Sequence, residues 1–212
     1  WMGSWTEVEM KTIDTEHKFF NENGYLLLKN VYNADLLYDD VPKTRGMITY
    51  HGSEKKMSYT KNEQQVPGSL ARYSHPKYKE AHSNIRKTVE RVIGKKLYNT
   101  YYYDRFYFPG QDLKKHVDRH ACEISISVNI SSNLKQPWAF CIKTPYGETR
   151  SLEMEPGDGV LYKGCDCPHW RDPMPGKYPK LFSKLDNSYY HQIFFHYVLA
   201  DGYRCEFAND GR

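Results

Sequence analysis

His116 and Asp118 are separated by a single residue and stand just before the most regular strand pattern in the chain. Side chains at positions i and i+2 of a strand point to the same face, so this imidazole and this carboxylate can reach one ion. A histidine from a distant strand would complete a facial triad, the arrangement of non-haem iron(II) sites, which leaves three coordination positions open. With 9 histidines and 26 acidic residues in 212, about one such pair is expected by chance, so the context must decide.

The strand that follows this pair is the clearest element of the sequence. Its apolar positions alternate with polar ones over ten residues, which predicts a β-strand; they are Cys122, Ile124, Ile126, Val128 and Ile130. If these apolar side chains pack in a core, Ser125, Ser127 and Asn129 face either solvent, the default, or a polar pocket. More strands are predicted at 101–108, 138–144, 150–154, 159–163 and 190–199, between turns rich in glycine and proline.

Helical patterns lie mainly ahead of these strands. One helix is predicted to start near Asp14 and end at Gly24, before a strand at 25–31, and a short one is predicted at 33–37. A stronger amphipathic pattern follows Pro76 and ends at Gly94, which can adopt the left-handed C-cap conformation. Residues from about 40 to 75 lack a clear period and predict a long loop or lid. This order predicts a mainly β, double-sheet fold with flanking helices.

The composition restricts the classes of function. The length and 39% hydrophobic content suit a single domain over 1–212, with a helical part at about 1–97 and a β core at about 98–205. A net charge of +4 without a dense basic stripe argues against a nucleic-acid partner. The absence of a long apolar run argues against a membrane span, and no signal peptide is evident. Five cysteines without disulfide-like spacing indicate reduced thiols and a cytoplasmic location.

A family resemblance supplies the missing context. The segment 107–118, with its tyrosine, Gly-Gln turn and His-x-Asp, resembles the prolyl 4-hydroxylase pattern of the iron(II)- and 2-oxoglutarate-dependent oxygenases. Segments 152–162 and 192–198 are similar to that family's strand–turn–strand and closing aromatic strand, and 20–26 is similar to its entry segment. His169 falls where the family has its distal histidine, 51 positions after Asp118.

The resemblance implies a double-stranded β-helix, or jelly-roll, that binds Fe(II) through His116, Asp118 and His169. It implies 2-oxoglutarate as co-substrate and hydroxylation of a C–H bond, either in a peptidyl residue such as proline or in a small metabolite. Tyr107 matches the tyrosine that hydrogen-bonds the co-substrate. Asn129, on the polar face of the strand after the motif, is a further candidate contact.

The cation that should bind the 5-carboxylate of 2-oxoglutarate departs from the family pattern. Related enzymes carry Lys or Arg nine to eleven residues after the distal histidine, where this chain has Tyr178, Pro179 and Lys180. A guanidinium can bind a carboxylate with two parallel hydrogen bonds. Arg171, which shares the face of His169 on a strand, is the preferred anchor, and Lys180 is the alternative.

Several alternatives remain open on the sequence. His196 is a second candidate for the distal ligand. The segment Cys165-Asp166-Cys167-Pro168-His169 could hold zinc through thiolates and an imidazole, although its spacing fits a turn with small buried thiols better. A jelly-roll binding module without turnover, or a zinc hydrolase using the same three ligands, are the competing classes of function.

Overall fold

Two antiparallel β-sheets and three α-helices make up the computed structural model, which describes residues 7–41, 63–178 and 186–210 of the chain. The α-helices are α1 (Glu7–Asn23), α2 (Ala34–Leu37) and α3 (Lys79–Ile93). The strands are β1 (Tyr25–Leu28), β2 (Leu70–Tyr73), β3 (Leu97–Tyr107), β4 (Leu113–His116), β5 (Ile124–Ser132), β6 (Phe140–Lys143), β7 (Thr149–Leu152), β8 (Gly159–Lys163), β9 (His169–Arg171) and β10 (Tyr190–Leu199). Short 3₁₀ turns lie at Pro76–Tyr78, His120–Cys122 and Cys205–Phe207.

The strand order confirms the jelly-roll predicted from the sequence. The larger sheet has the order β1-β8-β5-β10-β3-β2, and the smaller sheet has the order β4-β9-β6-β7. Strands that are neighbours in the chain, such as β4 and β5, lie in different sheets, so the chain rolls the two sheets against each other. Non-local pairing of this kind is typical of the double-stranded β-helix.

The helices cover the outer face of the larger sheet. Ile126 and Val128 of β5 and Phe195 of β10 belong to one buried apolar cluster together with Ile85 and Val89 of α3. The helix ends at Gly94, whose φ of 65° gives the left-handed cap that its sequence predicted. The apolar side chains of β5 therefore all point to the face of the sheet that α3 covers, as alternation along a strand and the apolar stripe of the helix predict.

The polar half of the same alternation faces the interior of the roll. Ser125, Ser127 and Asn129 are 0%, 0% and 2% exposed, so the default assumption that they face solvent is wrong. Both faces of β5 are buried because β5 lies between β8 and β10 in the larger sheet and the smaller sheet covers its inner side. A polar lining inside a roll is a feature that a structural core does not need.

The N-terminal part of the chain differs from the sequence expectation in two ways. Helix α1 begins at Glu7, earlier than the predicted start near Asp14. The segment predicted as a long loop contains strand β2, and β1 and β2 form the two edges of the larger sheet; residues 42–62 of that segment lie outside the described residues. No helix in the described segments is both long enough and apolar enough to cross a lipid bilayer.

Candidate metal centre

His116, Asp118 and His169 come together at the mouth of the roll. The Nε2 atoms of His116 and His169 each lie 3.5 Å from Oδ1 of Asp118. Strands β4 and β9 are paired so that His116 stands directly opposite His169, and their ring centroids are 4.4 Å apart. Residues that are 53 positions apart in the sequence thus present two nitrogens and one oxygen to a common point.

Backbone carbonyls fix which nitrogen of each ring faces that point. Nδ1 of His116 lies 2.7 Å from the carbonyl of Lys114, and Nδ1 of His169 lies 3.0 Å from the carbonyl of Cys167. A carbonyl only accepts, so each Nδ1 carries the hydrogen and each Nε2 directs a lone pair at Asp118. The side-chain amide nitrogen of Gln65, which can only donate, lies 3.0 Å from Nε2 of His116 and fits the same tautomer; a metal ion bound at this nitrogen of His116 would replace that hydrogen bond.

Three acceptor atoms aimed at one point repel each other unless a cation lies between them. Burial disfavours charge on Asp118 and on His116, yet interactions with the imidazoles lower the pKa of Asp118, and the carboxylate raises the pKa of His116. The cluster therefore favours positive charge in its centre, whether as a proton or as a metal ion.

Gly164 allows the carboxylate of Asp118 to take its position. The backbone N–H of Asp118 donates to the carbonyl of Gly164 at 2.9 Å, and the hydroxyl of Ser125 lies 3.3 Å from Oδ2 of Asp118. A Cβ atom on Gly164 would lie 2.5 Å from Oδ2 of Asp118 and 2.2 Å from the carbonyl oxygen of Cys122. Neither contact can be tolerated without displacing the carboxylate or the backbone that supports it.

We predict that Gly164→Ala weakens metal binding at this centre by about 10- to 100-fold, the range typical of losing support around a ligand. Titration with Mn(II) followed by electron paramagnetic resonance would measure the change. Gly110→Ala is the control, because a Cβ there meets nothing within 4 Å although φ is +81°. It should lower stability but leave the metal affinity unchanged; equal metal affinity in both variants would contradict the role of Gly164.

Arg171 lies on the same face of β9 as His169, two residues deeper in the roll. Its side chain is 1% exposed, donates to the backbone carbonyl of Trp138 and to the Tyr190 hydroxyl at 3.2 Å, and contacts both rings. No ion pair with a carboxylate is found for Arg171 among residues 7–41, 63–178 and 186–210, and its buried Nε has no hydrogen-bond partner there. A buried charge without a counterion is costly, so this position suits an anionic ligand.

Tyr107 and Asn129 also face the interior. Tyr107 lies beside Tyr190 in the paired strands β3 and β10, its ring packs edge-on to Trp138 at 5.0 Å, and its hydroxyl accepts from Arg105 at 3.0 Å. Asn129 donates to the carbonyl of Met154 at 2.8 Å, and its buried Oδ1 has no partner within the described part of the chain. Lys180, the alternative anchor, lies outside the described residues.

Arg105 is an interior residue that the sequence analysis did not single out. It is fully buried on β3, pairs with Glu63 at 3.1 Å and donates to the Gln65 side chain at 3.0 Å. Since Gln65 also donates to His116, Arg105 connects to the candidate metal centre through one side chain. A signal was present in the sequence: adjacent charges at Asp104 and Arg105 inside an aromatic strand must be buried in pairs.

His196, the second candidate for the distal ligand, lies on β10 rather than beside His116. Its Nδ1 is 2.8 Å from the Ser125 hydroxyl, and burial lowers its pKa to about 4, so it is neutral. It forms a second cluster of potential ligands with Asp118 and Cys122. Cys165 and Cys167 belong to neither cluster found in the described residues, so the zinc hypothesis for that segment has no geometric support.

A cavity of about 430 Å³ opens directly above the centre. His116 and Asp118 lie in its wall, and Glu63, Arg119 and three tyrosines form much of the remainder: Tyr73, Tyr101 and Tyr103. The rings of Tyr73 and Tyr103 stack with centroids 4.9 Å apart. A ligand in this cavity would be flanked by aromatic faces and would reach the two metal-facing residues.

The jelly-roll fold of the chain is shared with solved structures of 2-oxoglutarate–Fe(II) oxygenases, as the sequence resemblance predicted. A Burkholderia pseudomallei oxidoreductase of the 2OG-Fe(II) oxygenase family is similar over 93% of both chains, with a TM-score of 0.63 and 10% identity. No protein-family model and no curated protein matches the sequence.

Two further solved structures show the range of proteins with this fold. A Trichoplax adhaerens prolyl hydroxylase, in complex with a hypoxia inducible factor oxygen degradation domain peptide fragment, matches 92% of this chain and 94% of its own (TM-score 0.58, 10% identity). EctD from S. alaskensis, with 2-oxoglutarate and 5-hydroxyectoine, matches 94% of this chain and 80% of its own (TM-score 0.57, 12% identity). At these identities the likeness establishes the shared fold.

Proposed function

We propose that the protein is an iron(II)- and 2-oxoglutarate-dependent dioxygenase that hydroxylates a C–H bond. The observation that carries the proposal is the convergence of two imidazole lone pairs on one carboxylate oxygen, each 3.5 Å away, in a fold shared with such oxygenases. Two nitrogens and one oxygen on a single face leave room for a bidentate co-substrate and for dioxygen.

The residues present fit both groups. His116, Asp118 and His169 would hold the iron, and Arg171 would pair with the 5-carboxylate of 2-oxoglutarate. Two residues of strand span about 6.6 Å, a distance comparable with the length of a five-carbon diacid. Iron with bound 2-oxoglutarate supplies the oxygen activation that C–H hydroxylation requires.

Two hydroxyl groups in the roll would support the anionic co-substrate. The phenol oxygens of Tyr107 and Tyr190 accept hydrogen bonds from Arg105 and Arg171, so each phenol hydrogen is free to donate to a carboxylate. Asn129 remains a proposed second contact. The buried aromatic residues around Arg171 exclude water from this end of the roll, which strengthens the charge pairing.

The substrate class is proposed on the cavity above the centre. Tyrosine faces and two charged side chains suit a ligand with both apolar and polar parts, either a peptidyl residue such as proline or a small metabolite. One neighbour was solved with a peptide and another with 5-hydroxyectoine, so the fold accommodates both kinds.

The test is anaerobic titration of the apo-protein with Fe(II) and 2-oxoglutarate. We expect a weak metal-to-ligand charge-transfer band in the visible, and its loss in His116→Ala, Asp118→Ala and His169→Ala. His196→Asn is the matched control and should keep the band. If His116→Ala and Asp118→Ala both keep it, the ligand assignment is wrong; loss in His196→Asn with retention in His169→Ala would make His196 the distal ligand.

Two competing functions are separated by one further measurement. Formation of succinate from 2-oxoglutarate under air would exclude a binding module without turnover. A zinc hydrolase would need a general base beside the metal-bound water. Glu63 is an acidic residue in the cavity wall, but its carboxylate pairs with Arg105 at 3.1 Å, which makes it a poor candidate for the general base.

A further inference from the structure

We infer that Cys122 and Tyr101 form a self-modification site, at which a thioether bond joins the Cys122 sulfur to the Tyr101 ring carbon beside the hydroxyl-bearing carbon. We call these two residues the thiol–phenol pair. The inference rests on the proposed function, since oxygen activation at the candidate metal centre is what would drive the reaction.

The thiol–phenol pair is in contact and lies beside the centre. Sγ of Cys122 is 3.2 Å from the Tyr101 hydroxyl oxygen, and the two residues are 2% and 7% exposed. Both line the cavity that also contains His116 and Asp118. The Cys122 sulfur and an Asp118 carboxylate oxygen belong to a cluster whose ligand atoms all lie within 4.8 Å of one another. The sulfur therefore lies beside a residue that would hold the iron, within reach of the oxidising chemistry that iron with bound 2-oxoglutarate would supply.

The surroundings hold the pair in this arrangement. The Thr100 hydroxyl donates to the Ala121 carbonyl at 2.7 Å, which ties β3 to the turn that carries Cys122. The Tyr101 ring contacts the Arg119 guanidinium, 4.6 Å from its centroid, and the His196 ring, 4.7 Å from it. Neither partner can swing far, and reacting groups that are held in contact gain much of the entropy that a bimolecular step would lose.

The chemistry of the two side chains favours their oxidation over that of aliphatic groups, and contact with the thiol distinguishes Tyr101 from Tyr73 and Tyr103, the other phenols of the wall. The S–H bond of a thiol and the O–H bond of a phenol are weaker than aliphatic C–H bonds, so in the absence of substrate these hydrogens are removed more readily than those of aliphatic side chains. Cys122 loses its thiol hydrogen, Tyr101 loses one ring hydrogen, and the carbon–sulfur bond forms between them.

The electrons and atoms balance with one equivalent of co-substrate. One molecule of 2-oxoglutarate is decarboxylated to succinate and carbon dioxide and takes up one atom of O₂. The other oxygen atom accepts the two electrons and two protons released by the thiol–phenol pair and leaves as water. Each cross-link therefore consumes one 2-oxoglutarate and one O₂ and needs no external reductant.

The experiment uses the full chain loaded with Fe(II), exposed to air and 2-oxoglutarate without another substrate. We expect the intact mass to fall by two hydrogen atoms and one thiol per chain to be lost under denaturing titration. After proteolysis, the peptides with Tyr101 and Cys122 should be found joined. Succinate should be formed in one extra equivalent per cross-link relative to Cys122→Ser.

Variants distinguish the site from general oxidation. Cys122→Ser and Tyr101→Phe should each abolish the mass loss, whereas Cys165→Ser, which removes the neighbouring thiol whose Sγ lies 3.4 Å from the Arg119 carbonyl, should retain it. Succinate formation without the mass loss, or with added oxygen on Cys122 or Tyr101, would overturn the cross-link and leave the proposed function standing. Absence of iron binding and of succinate would overturn both.

Discussion

Replacing Arg171 with alanine is expected to raise the dissociation constant of 2-oxoglutarate about 100-fold, or about 3 kcal/mol, the scale of losing one partner of a buried charge pair. The guanidinium is 1% exposed and has neighbours that are neutral: the Trp138 carbonyl and the Tyr190 hydroxyl. A carboxylate entering this end of the roll would gain a charge pair with this guanidinium. Anaerobic titration at saturating Fe(II) would measure the change through the charge-transfer band.

Two matched variants make the Arg171 prediction specific. Arg171→Lys retains a charge but not the two-pronged geometry of a guanidinium, so we expect an intermediate loss of affinity. Lys180→Ala should leave the affinity unchanged. If Lys180→Ala bound 2-oxoglutarate more weakly than Arg171→Ala, Lys180 would be the anchor instead.

Removing the carboxylate of Asp104 is expected to cost about 3–5 kcal/mol of unfolding free energy, the scale of breaking a buried ion pair. Asp104 is fully buried on the outer face of β3; Arg72 Nη2 lies 2.7 Å and His191 Nε2 2.9 Å from its Oδ2. Asp104→Ala would leave a buried guanidinium beside a cavity. Urea unfolding followed by circular dichroism would report the loss.

Asp39 is the control for this network. Its carboxylate also pairs with Arg72, at 2.8 Å, but its side chain is 33% exposed. Solvent screens such a pair, so Asp39→Ala should cost about 1 kcal/mol or less. If the two substitutions lowered the unfolding free energy by similar amounts, burial would not be what makes the Asp104 ion pairs strong.

The pH dependence of the unfolding free energy provides a second test of the role of Asp104. Burial raises its pKa, but the His191 hydrogen bond and the Arg72 charge outweigh burial, so the folded-state pKa lies below the ordinary value of 3.8. A carboxyl with a depressed pKa contributes its full stability above the unfolded-state pKa and loses it as the pH falls through the folded-state value. The stability gap between wild type and Asp104→Asn should therefore be constant above about pH 5 and shrink towards lower pH.

The elements that the sequence predicted well are those whose local pattern and tertiary role agree. The strands at Gly159–Lys163 and Tyr190–Leu199 have the predicted bounds, and α3 ends at the predicted Gly94 cap. The prediction that His116, Asp118 and His169 lie together came from the spacing of these residues in the related family, not from hydrophobic periodicity. Their roles as ligands remain predictions that the titration addresses.

What the sequence could not predict depends on contacts between distant segments. The alternation in β5 shows that Asn129 and Ile130 face opposite ways, but it does not say that a second sheet covers the polar side. Gln65 reaches His116 and Arg105 across 51 and 40 residues. Gly164 looks like an ordinary turn glycine until Asp118 packs against its α-carbon. Each of these features is a property of packing, which a local pattern does not encode.

Strand β9 is three residues long, and it carries both the candidate iron ligand His169 and the candidate co-substrate anchor Arg171. Between them, the Trp170 side chain points the other way, over the ammonium of Lys115 at 4.3 Å. A shift of one residue would turn both functional side chains outward together. An insertion or deletion of one residue in 164–168 would thus remove both proposed binding functions together.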